Sequence, residues 1–229
     1  MKFLNTFAII FLLVNLTFLP EAKSQNLRKK ETCLISFKVN IDSDYQYKFS
    51  EFAGIFPEPG NKKVNKVENL IKYTTWDILK EKLTNQLGMI IIPLNAYGNK
   101  FSYDDFGFPD ISISRALNKG RSKQYIKVEL EIHPEHSAKY ITKIVPDSAN
   151  KIVELKENEV KPQVTINLTV YSDKGIIPKA SGSGTTNCKE VVVLDDSFFD
   201  GIANGNVQPG KINLYNLIDR AAQNLIGSF

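Results

Sequence analysis

The sequence predicts an α+β (α/β layered) fold, with a mixed, largely antiparallel sheet and two main helices packed on one face of the sheet. Alternating apolar and polar residues, typical of half-buried strands, fill 124–132 and 163–171. Apolar residues at three- and four-residue steps, typical of helices, begin at Trp76 and recur in 213–226. Because amphipathic helices bury their apolar stripes most economically on one side of a sheet, we expect a layered arrangement.

The N-terminal segment predicts export. One lysine precedes a nearly apolar run at 7–19, and Ala22 and Ser24 place small residues at the −3 and −1 positions of a cleavage site. We therefore expect residues 1–24 to be a signal peptide and residues 25–229 to form a single α/β domain. An uncleaved anchor is the alternative, but the apolar run is short for a bilayer core of about 30 Å. The expected location is periplasmic or secreted.

The charge of the chain excludes some classes of partner. The formal net charge is +4 at pH 7, from 29 basic and 25 acidic residues. This excess is too small to predict a nucleic-acid partner. The basic residues are concentrated locally at 28–30, and we interpret this run as a solvated polar segment after the cleavage site. No later run is long and apolar enough to predict a transmembrane segment in the mature chain.

The two cysteines, Cys33 and Cys188, predict a possible disulfide, because exported proteins often pair their cysteines. Such a bridge would close a loop of roughly 155 residues and add about 5 kcal/mol in the chain-entropy treatment. Two buried or free thiols are the alternative. Since Cys33 lies inside a strand pattern and not at the cleavage site, we do not expect it to carry a lipid anchor.

The remaining segments follow from local patterns. A strand is predicted at 33–41, then a helix that Thr74 begins and Gly88 ends, and a buried strand at 89–94. In the middle of the chain we predict a short helix at 111–118 ended by Gly120, a break of the 124–132 strand at 133–134 and a partner strand at 140–145. The next prediction is a hairpin of 163–171 with 176–180, followed by a flexible stretch at 181–186. The last predictions are a buried strand at 191–194, a turn-rich segment at 195–210 and a closing helix at 213–226.

The loop at 95–110 is the predicted binding site. It has neither the helical nor the strand period, it follows a predicted buried strand, and long loops of this kind often carry function. It combines five aromatic rings with three carboxylates: Tyr97, Phe101, Tyr103, Phe106, Phe108, Asp104, Asp105 and Asp110. Such rings supply contact area for a protein or a carbohydrate. The alternative is that the rings pack inward against the edge of the sheet.

Three further groups could carry chemistry. His133, Glu135 and His136 supply imidazole and carboxylate ligands for a metal, although two exposed histidines in a turn are the alternative. The acidic sets in 104–110 and 195–200 could hold calcium, or they could form turns and helix caps. Ser148, in the tripeptide Asp-Ser-Ala, is a possible O-glycosylation site.

Three segments resemble the small α/β domains of bacterial envelope proteins, such as the TolB N-terminal domain, CsgG and the activators of penicillin-binding proteins. They are the helix at 76–87 that runs into 89–94, the hairpin at 164–180 that ends in Ser-Gly-Ser-Gly, and the closing helix. The resemblance implies an assembly or interaction role in the periplasm, not catalysis. The chain differs from the lipoprotein members because it has no cysteine at the cleavage site.

These observations predict an exported, non-enzymatic binding or assembly module of the cell envelope. The expected partner is an envelope protein or a glycan, and no cofactor is expected. The alternative is a metal-assisted hydrolase that uses His133 and His136.

Overall fold

The computed structural model describes residues 27–135, 159–204 and 212–229, together with the backbone of 140–143 and 151–154. In these ranges the strands are β1 (Glu31–Ile41), β2 (Ile90–Ile91), β3 (Gln124–Pro134), β4 (Tyr140–Lys143), β5 (Lys151–Glu154), β6 (Glu159–Val160), β7 (Pro162–Ser172), β8 (Pro178–Asn187) and β9 (Val192–Val193). The helices are α1 (Ser43–Glu51), α2 (Lys66–Asn85), α3 (Ile113–Lys119), α4 (Asp196–Asn204) and α5 (Leu214–Gly227). The predicted signal peptide and Ser148 lie outside the described residues.

A five-stranded sheet in the order β2-β1-β3-β7-β8 organises the fold. β1 is parallel to both β2 and β3, whereas β7 is antiparallel to both β3 and β8. Two small antiparallel pairs, β4-β5 and β6-β9, lie apart from this sheet. The sheet is therefore mixed and the strand pairs are mostly antiparallel, which confirms the predicted fold class.

The main core lies between one face of the sheet and the helices α2 and α5. Alternate residues of β3 and β7 face this core, and the helices contribute their apolar stripes. Trp76 is 4% exposed, so its predicted place in the core is confirmed. α5 begins at Asn213, whose side chain accepts a hydrogen bond from the backbone N–H of Asn216 at 2.8 Å. In the described ranges, every helix is too short or too polar to cross a bilayer.

α2 begins earlier than the sequence predicts. The side chain of Asn65 accepts hydrogen bonds from the N–H groups of Val67 and Glu68, at 3.0 and 3.2 Å, and so caps the helix nine residues before Thr74. The buried Val67 and Ile71 extend the same apolar stripe toward the N-terminus. The prediction that Thr74 begins the helix is therefore wrong.

The segment that follows α2 is an edge of the sheet. Gly88 has φ +65, the left-handed conformation predicted for a residue that ends a helix. The prediction of a buried strand at 89–94 is wrong in part, because β2 pairs through only two residues and Ile90 is 50% exposed.

β8 includes the stretch that the sequence predicts to be flexible. The glycines at 182 and 184 lie in this strand because α5 packs directly on its backbone. A Cβ atom on Gly184 would lie 2.1 Å from the carbonyl oxygen of Ala221 and 2.1 Å from the nitrogen of Leu225. These glycines allow a helix to approach the sheet closely, and do not indicate a loop.

Two short helices have no clear signal in the sequence. Asp42 caps α1, in which Tyr45 and Phe49 lie one turn apart and stack with ring centroids 5.6 Å apart. The carboxylate of Asp195 accepts a hydrogen bond from the N–H of Phe198 at 3.0 Å and so begins α4. Part of the segment predicted to be turn-rich, 195–210, is thus a helix, while α3, β3 and β7 agree with their predicted positions within a few residues.

Candidate functional site

The loop at 95–110 closes the edge of β1 beyond the short strand β2. The N–H of Ile111 donates to the carbonyl oxygen of Ile35 at 3.0 Å, and Asp110 forms an isolated bridge with Ser36. Phe101 and Ile111 join a second apolar cluster, on the sheet face opposite the main core, where Cys33 and Tyr125 also lie. The loop therefore wraps around the edge of the sheet and contributes to the core on both faces.

The rings of this loop point into the protein. Phe108 is fully buried, with its ring centroid 5.5 Å from that of Phe37 and 4.8 Å from that of Tyr73. Phe101 is 5% exposed and stacks on Tyr97 at 4.6 Å. The other three loop rings, Tyr97, Tyr103 and Phe106, are partly buried. Phe101 and Phe108 are core residues, and partner binding by the rest of the loop stays a prediction.

Asp104 attaches the loop to α2. Its Oδ1 accepts hydrogen bonds from the N–H groups of Phe106 and Phe108, at 3.0 and 2.9 Å, and its Oδ2 pairs with Nζ of Lys72. Nζ of Lys72 also lies 5.0 to 5.6 Å from the ring centroids of Phe37, Phe106 and Phe108. Lys72 is 4% exposed, and its ammonium group is held by one carboxylate and three aromatic rings.

Three other carboxylates lie on α2 and on the loop near this ion pair: Glu68, Asp105 and Asp110. Burial raises the pKa of Glu68, with a further increase from Asp104, and the Lys72 ammonium lowers it. Asp105 and Asp110 are exposed at the surface of the loop. In the described part of the chain, the His, Cys, Asp and Glu side chains form no group of three or more that could hold a metal ion. Asp104 holds the loop against α2 through its ion pair with Lys72.

The proposed metal ligands at the end of β3 are engaged in other contacts. Nδ1 of His133 donates to the carbonyl oxygen of Pro134 at 3.0 Å. Glu135 forms an ion pair with Lys161 at 2.6 Å and accepts a hydrogen bond from Nδ2 of Asn187 at 3.1 Å. His136 lies outside the described residues. The carboxylate that the metal prediction requires thus joins β3 to the neighbouring segments.

The predicted disulfide between Cys33 and Cys188 is wrong, because both are buried free thiols. Cys33 pairs with Tyr125 near the start of β3, whereas the N–H of Cys188 donates to the carbonyl oxygen of Pro162, which pairs with Pro134 at the far end. Nine residues of strand, about 30 Å, separate the two positions. A disulfide needs Cα atoms within about 7 Å. Burial also raises the pKa of the Cys33 thiol to about 12.

The second acidic set, at 195–200, forms helix contacts. Asp195 caps α4 and also accepts a hydrogen bond from Oγ of Ser197 at 2.6 Å, while Asp200 accepts one from Nδ2 of Asn204. These contacts agree with the cap interpretation and give no sign of a calcium site.

The turn between β7 and β8 carries two exposed isoleucines. Ile176 is 58% exposed and Ile177 is 81% exposed. The pairing of the two long strands reaches the base of this turn, where Tyr171 pairs with Pro178. Large apolar side chains side by side at a tip are unusual on a protein surface, and they are typical of contact sites.

Basic side chains lie at the same end of the sheet as this tip. The starts of β1 and β3 lie at the same end of the sheet, because Gln124 pairs with both Thr32 and Ser172. We call this end the hairpin-end surface, and it consists of Ile176, Ile177, Arg28, Lys29, Lys30, Arg121, Lys123, Lys174 and Lys179. The basic members are exposed, except for Lys30, which is partly buried. The acidic side chains on the same segments are Glu31 and Asp173, and Asp173 pairs with Lys123 at 3.4 Å.

The sequence patterns do not predict this surface. They predict a strand that includes the isoleucines and an isolated polar segment at 28–30. The signal that could have found them is the run of two isoleucines between Gly175 and Pro178, two residues that favour a turn.

Comparisons with known proteins add little to this geometry. No protein-family model and no curated protein matches the chain. One similar solved structure is a candidate neuraminyllactose-binding hemagglutinin homolog from Helicobacter pylori, with 13% identity, a TM-score of 0.35 and coverage of 88% of this chain and 81% of that one. Another is a hypothetical protein from Chlamydia trachomatis, with 10% identity, a TM-score of 0.40 and coverage of 87% and 97%. At these values the likeness carries no inference about function, and the resemblance to envelope domains stays a prediction.

Proposed function

We propose that this chain is an exported, non-enzymatic module that attaches to the cell envelope through the hairpin-end surface. The observation that carries the proposal is the adjacent exposure of Ile176 and Ile177 at the tip of the β7–β8 hairpin. Burying an isoleucine side chain in a contact gains about 1.5–3 kcal/mol relative to leaving it in water. Contact with a partner at this tip is therefore favourable, because it removes the two isoleucine side chains from water.

Export rests on the N-terminal pattern. The small residues Ala22 and Ser24 predict a mature chain that begins at Gln25. The intact mass of the exported protein tests this, and a species that retains Met1 would contradict it.

The non-enzymatic part of the proposal rests on the contacts of the candidate catalytic residues. Glu135 is bound to Lys161 and Asn187, so a metal-assisted hydrolase would have to break those contacts to use it. Metal analysis of the purified protein separates the two functions. Stoichiometric zinc that disappears when His133 and His136 are both replaced by Ala would favour the hydrolase.

Cell fractionation tests the attachment. We expect the exported protein in the envelope fraction, and we expect Ile176→Ser combined with Ile177→Ser to move it to the soluble fraction. The matched control is Tyr47→Ser, because Tyr47 is 70% exposed on α1, which follows the other end of β1. An equal distribution of all three proteins would contradict the proposal. A thermal unfolding midpoint equal to that of the wild type confirms that each variant is folded.

A further inference from the structure

We infer that the hairpin-end surface binds the anionic headgroups of a lipid membrane. This inference rests on the proposed function and names the component of the envelope that the surface contacts. It is carried by an exposed apolar tip and the cations around it, which three separate segments of the chain bring together.

The backbone fixes the position of these segments. The N–H of Asp173 donates to the carbonyl oxygen of Lys123 at 3.2 Å, which joins the turn after β7 to the residue before β3. The N–H of Lys29 donates to the carbonyl oxygen of Gly88 at 2.8 Å, which holds the residues before β1 beside the end of α2. The cations therefore lie on a preorganised end of the sheet.

Two of the cations lie side by side. The pKa of the Lys179 ammonium is lowered from its ordinary value, first by partial burial and then by the nearby Lys30. An anion that approaches this pair is attracted by both charges. A lipid phosphate has the charge and the acceptor oxygens for this contact.

The apolar tip distinguishes a membrane from a soluble polyanion. A nucleic acid would use the cations, but it would leave Ile176 and Ile177 in water. At a membrane, apolar side chains enter the boundary between headgroups and acyl chains while Lys and Arg remain at the level of the phosphates. Both parts of the hairpin-end surface then contact the membrane, because the exposed isoleucines lie in the chain between Lys174 of the turn and Lys179 of β8.

Sedimentation with lipid vesicles tests the inference on the purified exported protein. We expect binding to vesicles of mixed phosphatidylcholine and phosphatidylglycerol, weaker binding in high salt, and little binding to phosphatidylcholine alone. Ile177→Ser should weaken binding roughly tenfold. Lys174→Glu should weaken it by roughly 20-fold, since it removes one cation and adds an anion. The matched controls are Tyr47→Ser, which removes a large exposed side chain, and Lys189→Glu, which reverses an exposed positive charge. Both residues lie away from this surface, so both variants should bind like the wild type.

Several results would overturn the inference. They are equal binding to both kinds of vesicle, equal loss in the controls, and binding of a DNA oligonucleotide that is as tight as vesicle binding and unaffected by Ile177→Ser. If no vesicle binds but fractionation still depends on the isoleucines, the lipid inference fails and the proposed function survives with a protein or a glycan as the partner. If fractionation also shows no dependence, both proposals fail.

Discussion

Replacing Gly184 by Ala tests whether α5 rests on the backbone of β8. The added Cβ atom would lie 2.1 Å from two backbone atoms of α5, the Ala221 oxygen and the Leu225 nitrogen. Ordinary contacts between such atoms are longer by more than 1 Å, so the helix must shift as a unit. Overpacking of this kind destabilises proteins by about 1–3 kcal/mol. Because backbone atoms cannot rotate away, we expect a loss near the upper end, about 3 kcal/mol, less the several tenths that alanine gains over glycine in a strand.

Two other glycines supply matched controls. Gly175→Ala meets no atom within 4 Å and should change the free energy of unfolding by less than about 0.5 kcal/mol. Gly182→Ala meets side-chain atoms of Ser228 and Phe229, at 2.4 and 2.5 Å, and side chains can rotate where backbone atoms cannot. Its loss should fall between the other two.

Urea denaturation of the three variants and the wild type measures these differences. The order of stability loss should be Gly184→Ala, then Gly182→Ala, then Gly175→Ala. If Gly184→Ala were as stable as Gly175→Ala, the close packing of α5 on β8 would be incorrect.

Three further predictions concern the core and the loop. Trp76→Ala should lower the free energy of unfolding by about 3–5 kcal/mol, because it empties a large core site; a loss below about 1 kcal/mol in urea denaturation would place the ring in solvent. Asp104→Asn should cost about 3 kcal/mol because it leaves the buried Lys72 ammonium unpaired, and adding Lys72→Met should restore most of that loss; a double variant as unstable as Asp104→Asn would refute the ion-pair argument. Glu68→Gln should stabilise the protein at neutral pH and not well below pH 4.5, the ordinary pKa of this carboxyl, because its raised pKa in the folded state means that ionisation opposes folding as pH rises; an equal gain at both pH values would show that the effect is not ionisation.

The fold class could be predicted because its main elements have strong local patterns. β3 and β7 alternate along most of their length, since one face of each packs against helices, and α5 has a wide apolar stripe. These patterns report burial on one side, which is the property that a layered fold imposes on its sequence.

The elements that were missed depend on contacts distant in the chain. Gly182 and Gly184 look flexible in isolation, and only the position of α5 shows why a strand needs them. α1 and α4 are short, and their aromatic residues pack together: the rings of Phe49 and Phe199 lie edge to face, 5.0 Å apart. Local periodicity does not contain this information.

The candidate site was predictable only in part for the same reason. The loop at 95–110 has the residue types of a binding site, but whether its rings point outward depends on the open edge of β1 that they close. The disulfide prediction failed on strand register, which places the cysteines at opposite ends of the sheet. The hairpin-end surface combines residues from 28–30, 121–123 and 174–179, and their proximity follows from strand order alone.

Site-specific photo-cross-linking in cells is the most direct test of the claim that this surface contacts the envelope. A photoactivatable phenylalanine analogue would replace Ile177 in one protein and Tyr47 in another, since both positions are highly exposed. We predict that irradiation attaches envelope lipid to the protein labelled at 177 and leaves the protein labelled at 47 unmodified. Equal adducts at both positions, or none at 177, would contradict the account.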